Sequence, residues 1–380
     1  MTFPLPVPAE LRRALLPGTE VLLGISGGVD SAVSLALLVE LGCRVQCVTF
    51  KNFCYGDPEI ELTEKSCCSL EAIEDARALA GRFGAQHWVH DLAEPFGRRV
   101  MEPFVAEYQV GRTPNPCLAC NGDVRFPELV RLADRQGCSF AATGHYARIE
   151  RRGEYARLLR GLDREKDQSY FLSRIEPVLL DRFVFPLGWW TKEETRRAAA
   201  ELGLSVAGKR DSQEICFVPD GDRSFLFPEG PSTVPGDIVN RGGRILGRHR
   251  GLVHYTVGQR RGMGVAAERP LYVLELDLEK RRLVVGFEEE LKVDFLTADR
   301  FLAQVPDFPD SGTLDDGVRA RIRHRHRGVP VKNWRLSGEG LTVELEDAVL
   351  GAAPGQGLVL YDGDLVLGGG RILTAGIGPE

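Results

Sequence analysis

Residues 115–120 read N-P-C-L-A-C, inside the longer stretch GRTPNPCLACNGDVRF. Cys117 and Cys120 stand three apart in a stretch that reads as a loop, its backbone fixed by Gly111, Pro114 and Pro116. Such a pair can clamp a metal, cycle as a disulfide, pair a nucleophile with a companion, or be two buried thiols. A zinc ribbon needs a second C-x-x-C, and the chain has none. The other candidate is Cys216, 96 residues beyond Cys120 in DSQEICFVPDGDRSFL, with Asp211 and Ser212 just before it. That segment is polar, unlike the surroundings of a core cysteine. Cys43, Cys47 and Cys138 lie in the apolar runs CRVQCVTF and CSFAATG and read as core residues. Cys54, Cys67 and Cys68 fall in KNFCYGDPEIELTEKSCCSL, a polar loop of the size of an active-site lid, and read as bystanders. Nine cysteines, an odd number, in a long chain whose start shows no secretory pattern argue against a disulfide framework.

The second chemical signal is VLLGISGGVDSAVSLALL. A short apolar strand ends at Ile25, a small polar loop follows, and a helix begins near Ser31. Amide groups at such a helix start form an anion nest. Ser26 and Ser31 add hydroxyl donors, and Gly27 and Gly28 let a phosphate approach the backbone. The loop lacks the Lys and the spacing of a Walker A motif, and it is not G-x-G-x-x-G. S-G-G-V-D-S instead resembles the PP-loop of N-type ATP pyrophosphatases, which cleave ATP between its α- and β-phosphates and activate a substrate oxygen as the adenylate. The resemblance makes Gly24, Ile25, Ser26, Gly27, Gly28, Val29, Asp30 and Ser31 the ATP-binding stretch. It puts Phe50, at the end of the second strand, beside the adenine, and Gly144 of TGHY near the nucleotide.

These residues need a scaffold, and residues 21–145 supply one. Apolar strands (VLLGI, RVQCVTF, QHWVHD, SFAAT) alternate with helical patterns. SLEAIEDARALAGRFG places Leu70, Ile73, Leu79, Ala80 and Phe83 at helical spacing and stops at Gly84. A helix is expected from about 95 to 109, before the Pro-rich motif. This order predicts an α/β fold with a doubly wound parallel sheet and ligands at the carboxyl ends of its strands. The end of the chain alternates with period two, and Asp362-Gly363 between two apolar runs signals a hairpin. The expected organisation is a PP-loop domain over 1–205, a small central mixed module carrying Cys216 over 206–289, and a C-terminal antiparallel β-barrel over 290–380. Hydrophobic residues at 43 % and charged residues at 27 % fit a globular protein without membrane spans. The start MTFPLPVPAELRR reads as cytoplasmic rather than as a signal peptide.

Together GISGGVDS, GRTPNPCLACNGDVRF, ATGHYARI, KDQSYFL, DSQEICF, GLVHYTVGQRRGMGV and PGQGLVLYDGDLVLGGGRI resemble the bacterial tRNA-specific 2-thiouridylases, colinearly from about residue 20 to 375. The resemblance implies sulfur insertion at C2 of the wobble uridine (U34) of tRNA, with ATP and Mg2+ used and AMP and pyrophosphate released. It implies Cys120 as nucleophile and Cys216 as persulfide carrier. The sulfur donor would be a cysteine desulfurase, a sulfur-relay protein or inorganic sulfide. Some members carry an acid where this chain has Cys117. A thiol there resembles the branch in which three thiolates, here Cys117, Cys120 and Cys216, hold a [4Fe–4S] cluster with one open iron site. Persulfide and cluster chemistry both remain open at this stage. So do a PP-loop thiolase acting elsewhere on tRNA and a small-molecule PP-loop ligase, though such ligases lack the paired cysteines and the barrel.

A net charge of −6 means that any RNA contact must be local. RARIRHRHRGVPVKNWR (319–335) carries six Arg, one Lys, two His and no acid. Alternating Arg on a barrel strand would present one basic face to phosphates; the bland alternative is a solvated edge strand. The family resemblance favours RNA and points to Arg323, His324, Gln356, His145, Lys166, Asp167 and Gln168, with Asn115, Pro116 and Cys117 lining a flipped target base.

Overall fold

Val21, Leu22 and Leu23 are fully buried and form the middle of a strand at the centre of the first sheet. The structure, a computed structural model, describes residues 6–53, 70–153, 155–209, 215–218, 224–227, 230–312 and 317–378. Cys54, Cys67 and Cys68, with most of the loop expected as a lid, lie outside the described residues, as do Asp211 and Ser212. The chain divides into two compact units.

The first unit comprises Met1–Arg99, Ala119–Pro219 and Asp364–Val366. It opens with α1 (Ala9–Ala14), β1 (Glu20–Gly24), α2 (Val29–Glu40), β2 (Arg44–Lys51), α3 (Leu70–Arg82), β3 (Gln86–Asp91) and α4 (Ala93–Phe96). After α5 (Glu102–Gln109) and most of α6 (Pro116–Ala119), which belong to the second unit, a π-helical turn Cys120–Arg125 runs straight into α7 (Phe126–Arg135). Then follow β4 (Phe140–Thr143), the hairpin β5 (Ala147–Arg152) and β6 (Tyr155–Arg160), α8 (Ser169–Leu172), β7 (Phe183–Val184) and α9 (Lys192–Glu201). The sheet order is β3-β2-β1-β4-β7, with every neighbour parallel. Strand β1 reads as an unbroken apolar run because helices cover both faces of a parallel sheet. The order reverses between β1 and β4, so their carboxyl ends form the crevice where such sheets bind ligands. Val29 and residues 31–38 of α2 are buried without a break, as expected of a helix apolar on all sides.

Three local expectations change. Leu70 is 77 % exposed at the start of α3, and Ala72, Ala76, Leu79 and Ala80 form its buried stripe instead. The helix expected over 95–109 comes in three pieces: α4, a π-helical turn Gly97–Met101, and α5. The C-x-x-C motif is helical rather than a loop, because Pro116 suits a first helical position and Leu118 and Ala119 favour the helix.

The second unit comprises Val100–Leu118, Asp220–Gly363 and Leu367–Glu380. It contains the mixed sheet β10-β11-β8-β9, from β8 (Gly236–Asn240), β9 (Ile245–His249), β10 (Tyr272–Asp277) and β11 (Arg282–Gly286). Ile238, Val273, Leu283 and Val285 form its core. Beyond it lie β12 (Lys292–Ala303), β13 (Ser311–Gly312), β14 (Val318–Arg321), β15 (Val329–Ser337), β16 (Gly340–Leu350), β17 (Gly357–Asp362) and β18 (Leu365–Gly376). Six of these close into an antiparallel barrel in the order β12-β16-β15-β14-β17-β18, because β18 pairs back onto β12. The turn signalled by Asp362-Gly363 joins β17 to β18, with Gly363 at φ +54°.

Candidate active site

The glycine-rich loop leaves the carboxyl end of β1 and enters α2 through Gly28, whose extended backbone caps the helix. First-turn amides of a helix have no intrahelical partner and point outward. Inside the loop, Ser26 N–H donates to Ser31 Oγ at 3.2 Å and the Ser31 hydroxyl donates to the Gly28 carbonyl at 3.0 Å. Gly27 sits at φ +67°, and a Cβ there would stand 2.3 Å from the Ala72 carbonyl. Only glycine can close this loop, and its place between β1 and the start of α2 suits an anion nest. From β2, the Thr49 hydroxyl donates to Ile25 O at 2.9 Å and lies 2.9 Å from His87 Nε2, a support that no motif signals. Phe50, next to the last residue of β2, is buried and edge-on to His90 at 6.1 Å.

Gly24 of β1 pairs with Thr143 of β4, which brings the TGHY turn beside the loop. A Cβ on Gly144 would lie 2.9 Å from Ser31 N, so this glycine is required for close packing against the start of α2. His145 Nδ1 bonds Thr143 Oγ1 at 2.7 Å, and its ring lies among Phe126 and Phe185. Burial pushes its pKa down to about 3. A neutral imidazole can pair with a base edge but brings no charge to a phosphate.

Asp30 is held by groups that sequence reading missed. Lys192 Nζ, at the start of α9, reaches both its oxygens at 2.7 and 2.8 Å. The Tyr146 hydroxyl lies 2.9 Å from Asp30 Oδ1 and 2.9 Å from Thr195 Oγ1. Lys192 itself is only 8 % exposed. Of the KDQ residues, Asp167 is buried, with its carboxylate accepting from Gly161 N, Ser169 N and Arg160 Nε at 3.1, 3.1 and 3.2 Å. This carboxylate organises its own loop. Gln168 Oε1 accepts from Tyr146 N at 2.9 Å, which ties the same loop to the Asp30 network. Lys166 is half-buried, and its amide bonds Asp163 at 3.2 Å.

Cys120 opens the π-helical turn and is buried at 8 % exposure. That turn is pinned by Asn121, whose amide donates to Phe171 O at 3.1 Å, and by Gly122, where a Cβ would meet Arg174 O at 2.6 Å. Cys216 is half-buried in a turn closed by Val218 N to Ile215 O at 2.9 Å. The adjacent Phe217 packs edge-on against Phe96 of α4 at 5.6 Å. Helix α4 also packs on the turn of Cys120, so one short helix supports both thiol-bearing segments. The core cysteines behave as expected: Cys43, Cys47 and Cys138 are buried, and burial raises their pKa values to about 11, 12 and 11. Among the described residues no three His, Cys, Asp or Glu side chains converge on a position for a metal ion.

In the second unit, Asn115 and Cys117 are half-buried and Pro116 is buried. Gln356 Nε2 donates to Thr113 O at 2.9 Å, so its amide faces the chain just before N-P-C. The basic run does not form one charged strand face. Arg321 is buried, donates to the carbonyls of His326 and His324, and lies 5.4 Å over Tyr361. It organises the turn 322–328, from which Arg323, Arg325 and Arg327 project exposed and His324 is half-buried.

Three family models match in sequence along the chain: the tRNA methyl transferase HUP domain over residues 19–220, its PRC-barrel domain over 223–287, and the aminomethyltransferase β-barrel domain over 298–372. The tRNA-specific 2-thiouridylase MnmA of Geobacter metallireducens is 45 % identical over 360 residues, covering 93 % of this chain and 97 % of that protein. This chain belongs to the tRNA-specific 2-thiouridylase family. The thiouridylase of Lachnoclostridium phytofermentans is 40 % identical over 360 residues, covering 93 % of this chain and 99 % of that one. A bifunctional NifU/MnmA protein of Rubrobacter xylanophilus is 45 % identical, covering 93 % of this chain and 69 % of its own length. The family models speak of methyl transfer and the full-length thiouridylases of thiolation. A phosphate nest with two supported thiols in one unit suits the second chemistry, since methyl transfer has no use for the pair.

Proposed function

We propose that this chain replaces the C2 oxygen of the wobble uridine of tRNA by sulfur, converting ATP to AMP and pyrophosphate. The observation that carries the reading is the Gly27–Ser31 nest in the same unit as Cys120 and Cys216, whose segments share α4. The uridine O2 attacks the α-phosphate, pyrophosphate leaves, and a poor leaving oxygen becomes AMP. The terminal sulfur of a Cys216 persulfide then attacks C2 and expels AMP. The Cys120 thiolate attacks Cys216 Sγ, the S–S bond to the new sulfur breaks, and 2-thiouridine departs from a Cys120–Cys216 disulfide. A thiol reductant resets the pair, and a persulfide-bearing protein or inorganic sulfide with an oxidant reloads Cys216. Mg2+ is expected with the ATP, but both Asp30 oxygens already face Lys192, so no step is assigned to the ion.

Domains 1–205, 206–289 and 290–380 divide the labour as nucleotide site, carrier of Cys216 and RNA-contacting barrel. The protein works where tRNA and ATP are found, in the cytoplasm, and among the described residues no helix is long and apolar enough to cross a membrane. The test is purified protein with unmodified tRNA, ATP and a persulfide donor, read by nucleoside mass spectrometry. The expected product is 2-thiouridine at the wobble position, abolished in Cys120→Ser and Cys216→Ser. Pyrophosphate release without tRNA dependence, or thiolation that survives both substitutions, overturns the reading. Cys117→Ala keeps full activity on the persulfide route; loss of activity together with loss of iron–sulfur absorbance would replace that route by the cluster.

A further inference from the structure

The chain between α5 and α6 has a backbone problem. Pro114 and Pro116 lack N–H groups, so the segment before Cys117 cannot bond itself into regular structure. The barrel solves it. Thr113 N donates to Pro354 O at 2.7 Å, and Gln356 Nε2 donates to Thr113 O at 2.9 Å. Both backbone groups of Thr113 are thus held by one three-residue turn. Gly355 at its centre sits at φ +94°, and a Cβ there would stand 2.9 Å from the Thr113 backbone. The turn is itself fixed to β18: Gly355 N donates to Ile372 O and Ile372 N to Gln356 O, each at 2.8 Å. One residue away, Arg371 bonds Asp299 and also reaches Glu107 of α5 at 2.7 Å. All of these residues belong to the second unit.

We propose that the Pro354–Gln356 turn is a clamp that sets the position of the Asn115–Cys117 segment at the start of α6, and that Gln356 is a positioning residue acting through Thr113. The proposal rests on the reading of Asn115–Cys117 as the segment that receives the target base. It gives the barrel turn a positioning role toward a segment of its own unit. The Thr113 hydroxyl has no partner among the described residues, so the clamp works through the backbone.

The test compares wild type, Gln356→Ala, Gln356→Glu and Thr113→Val as full chains. Hydrogen exchange of residues 111–118 is followed without RNA, and kcat, KM for ATP and tRNA Kd are measured. In Gln356→Ala, exchange of that segment accelerates about fivefold and kcat falls by about the same factor, the weight of one net hydrogen bond. The tRNA Kd and the KM for ATP stay put. Gln356→Glu is at least as severe, since an acceptor then faces the Thr113 carbonyl. Thr113→Val changes nothing, because both backbone bonds remain. Unchanged exchange in Gln356→Ala with a weakened tRNA Kd would make Gln356 an RNA contact and end the proposal. If wild type makes no 2-thiouridine, the proposed function falls while the exchange comparison still decides the clamp.

Discussion

At the residue scale the sharpest feature is Asp30, an acid placed in a loop built for anions. Lys192 neutralises it from a nearly buried position, so the nest keeps its positive character. Lys192→Met leaves that carboxylate uncompensated. It is expected to destabilise the fold by about 2 kcal/mol, less than the 3–5 of a fully buried pair because Asp30 is one-third exposed. Adding Asp30→Asn should recover most of that loss. Denaturant unfolding of the four proteins checks it, and strict additivity would mean that the two groups do not act together. His145 gives a second expectation. Its folded pKa near 3 lies below its ordinary 6.5, so stability is fully present above 6.5 and drains as pH falls toward 3. A His145→Gln protein should show a shallower acid limb in unfolding against pH.

The element scale explains why two glycines far apart in sequence serve one loop. Gly27 turns left-handed beneath Ala72, and Gly144 lets the end of β4 lie against the start of α2. In Gly144→Ala the new methyl presses on the Ser31 amide and displaces the nest, while the sheet behind it is untouched. The expected result is at least about a tenfold rise in KM for ATP, or 1.4 kcal/mol, with far-ultraviolet dichroism unchanged. Wild-type ATP kinetics in this variant would show that the nest tolerates the shift. The π-helical turn of Cys120 belongs to this scale too. Gly122 is needed where the turn meets Arg174, so Cys120 is positioned by the packing of its helix, whatever the prolines before it do.

For the whole molecule, charge decides how RNA is met. A net charge of −6 repels a polyanion at long range, so recognition depends on concentrated cations. The turn 322–328 concentrates them by holding Arg321 inside and projecting Arg323, Arg325 and Arg327. Replacing Arg323 by Ala should weaken tRNA binding and reduce the slope of log affinity against log salt by about 1. Arg321→Ala should instead lower stability, having removed the group that bonds two carbonyls of the turn. Filter binding at several salt concentrations separates the two. An unchanged slope in Arg323→Ala would remove this turn from the RNA surface.

Much of this was legible in the chain itself. Apolar runs of strand length, separated by helical patterns, dictate a parallel sheet, and S-G-G-V-D-S between a strand and a helix marks a glycine loop at the carboxyl end of its central strand. Asp362-Gly363 dictates a hairpin because few other pairs tolerate that turn. What only the folded structure decided are the partners that sequence distance hides. Lys192 lies 162 residues from Asp30, and Gln356 lies 243 from Thr113. No periodicity joins them, since each pair is made by the packing of separate elements. The same holds for roles that look alike on paper: Arg321 and Arg323 differ by two positions, yet one is buried and one exposed. Local pattern fixes what a segment becomes, and burial in the tertiary structure fixes what each of its side chains is able to touch.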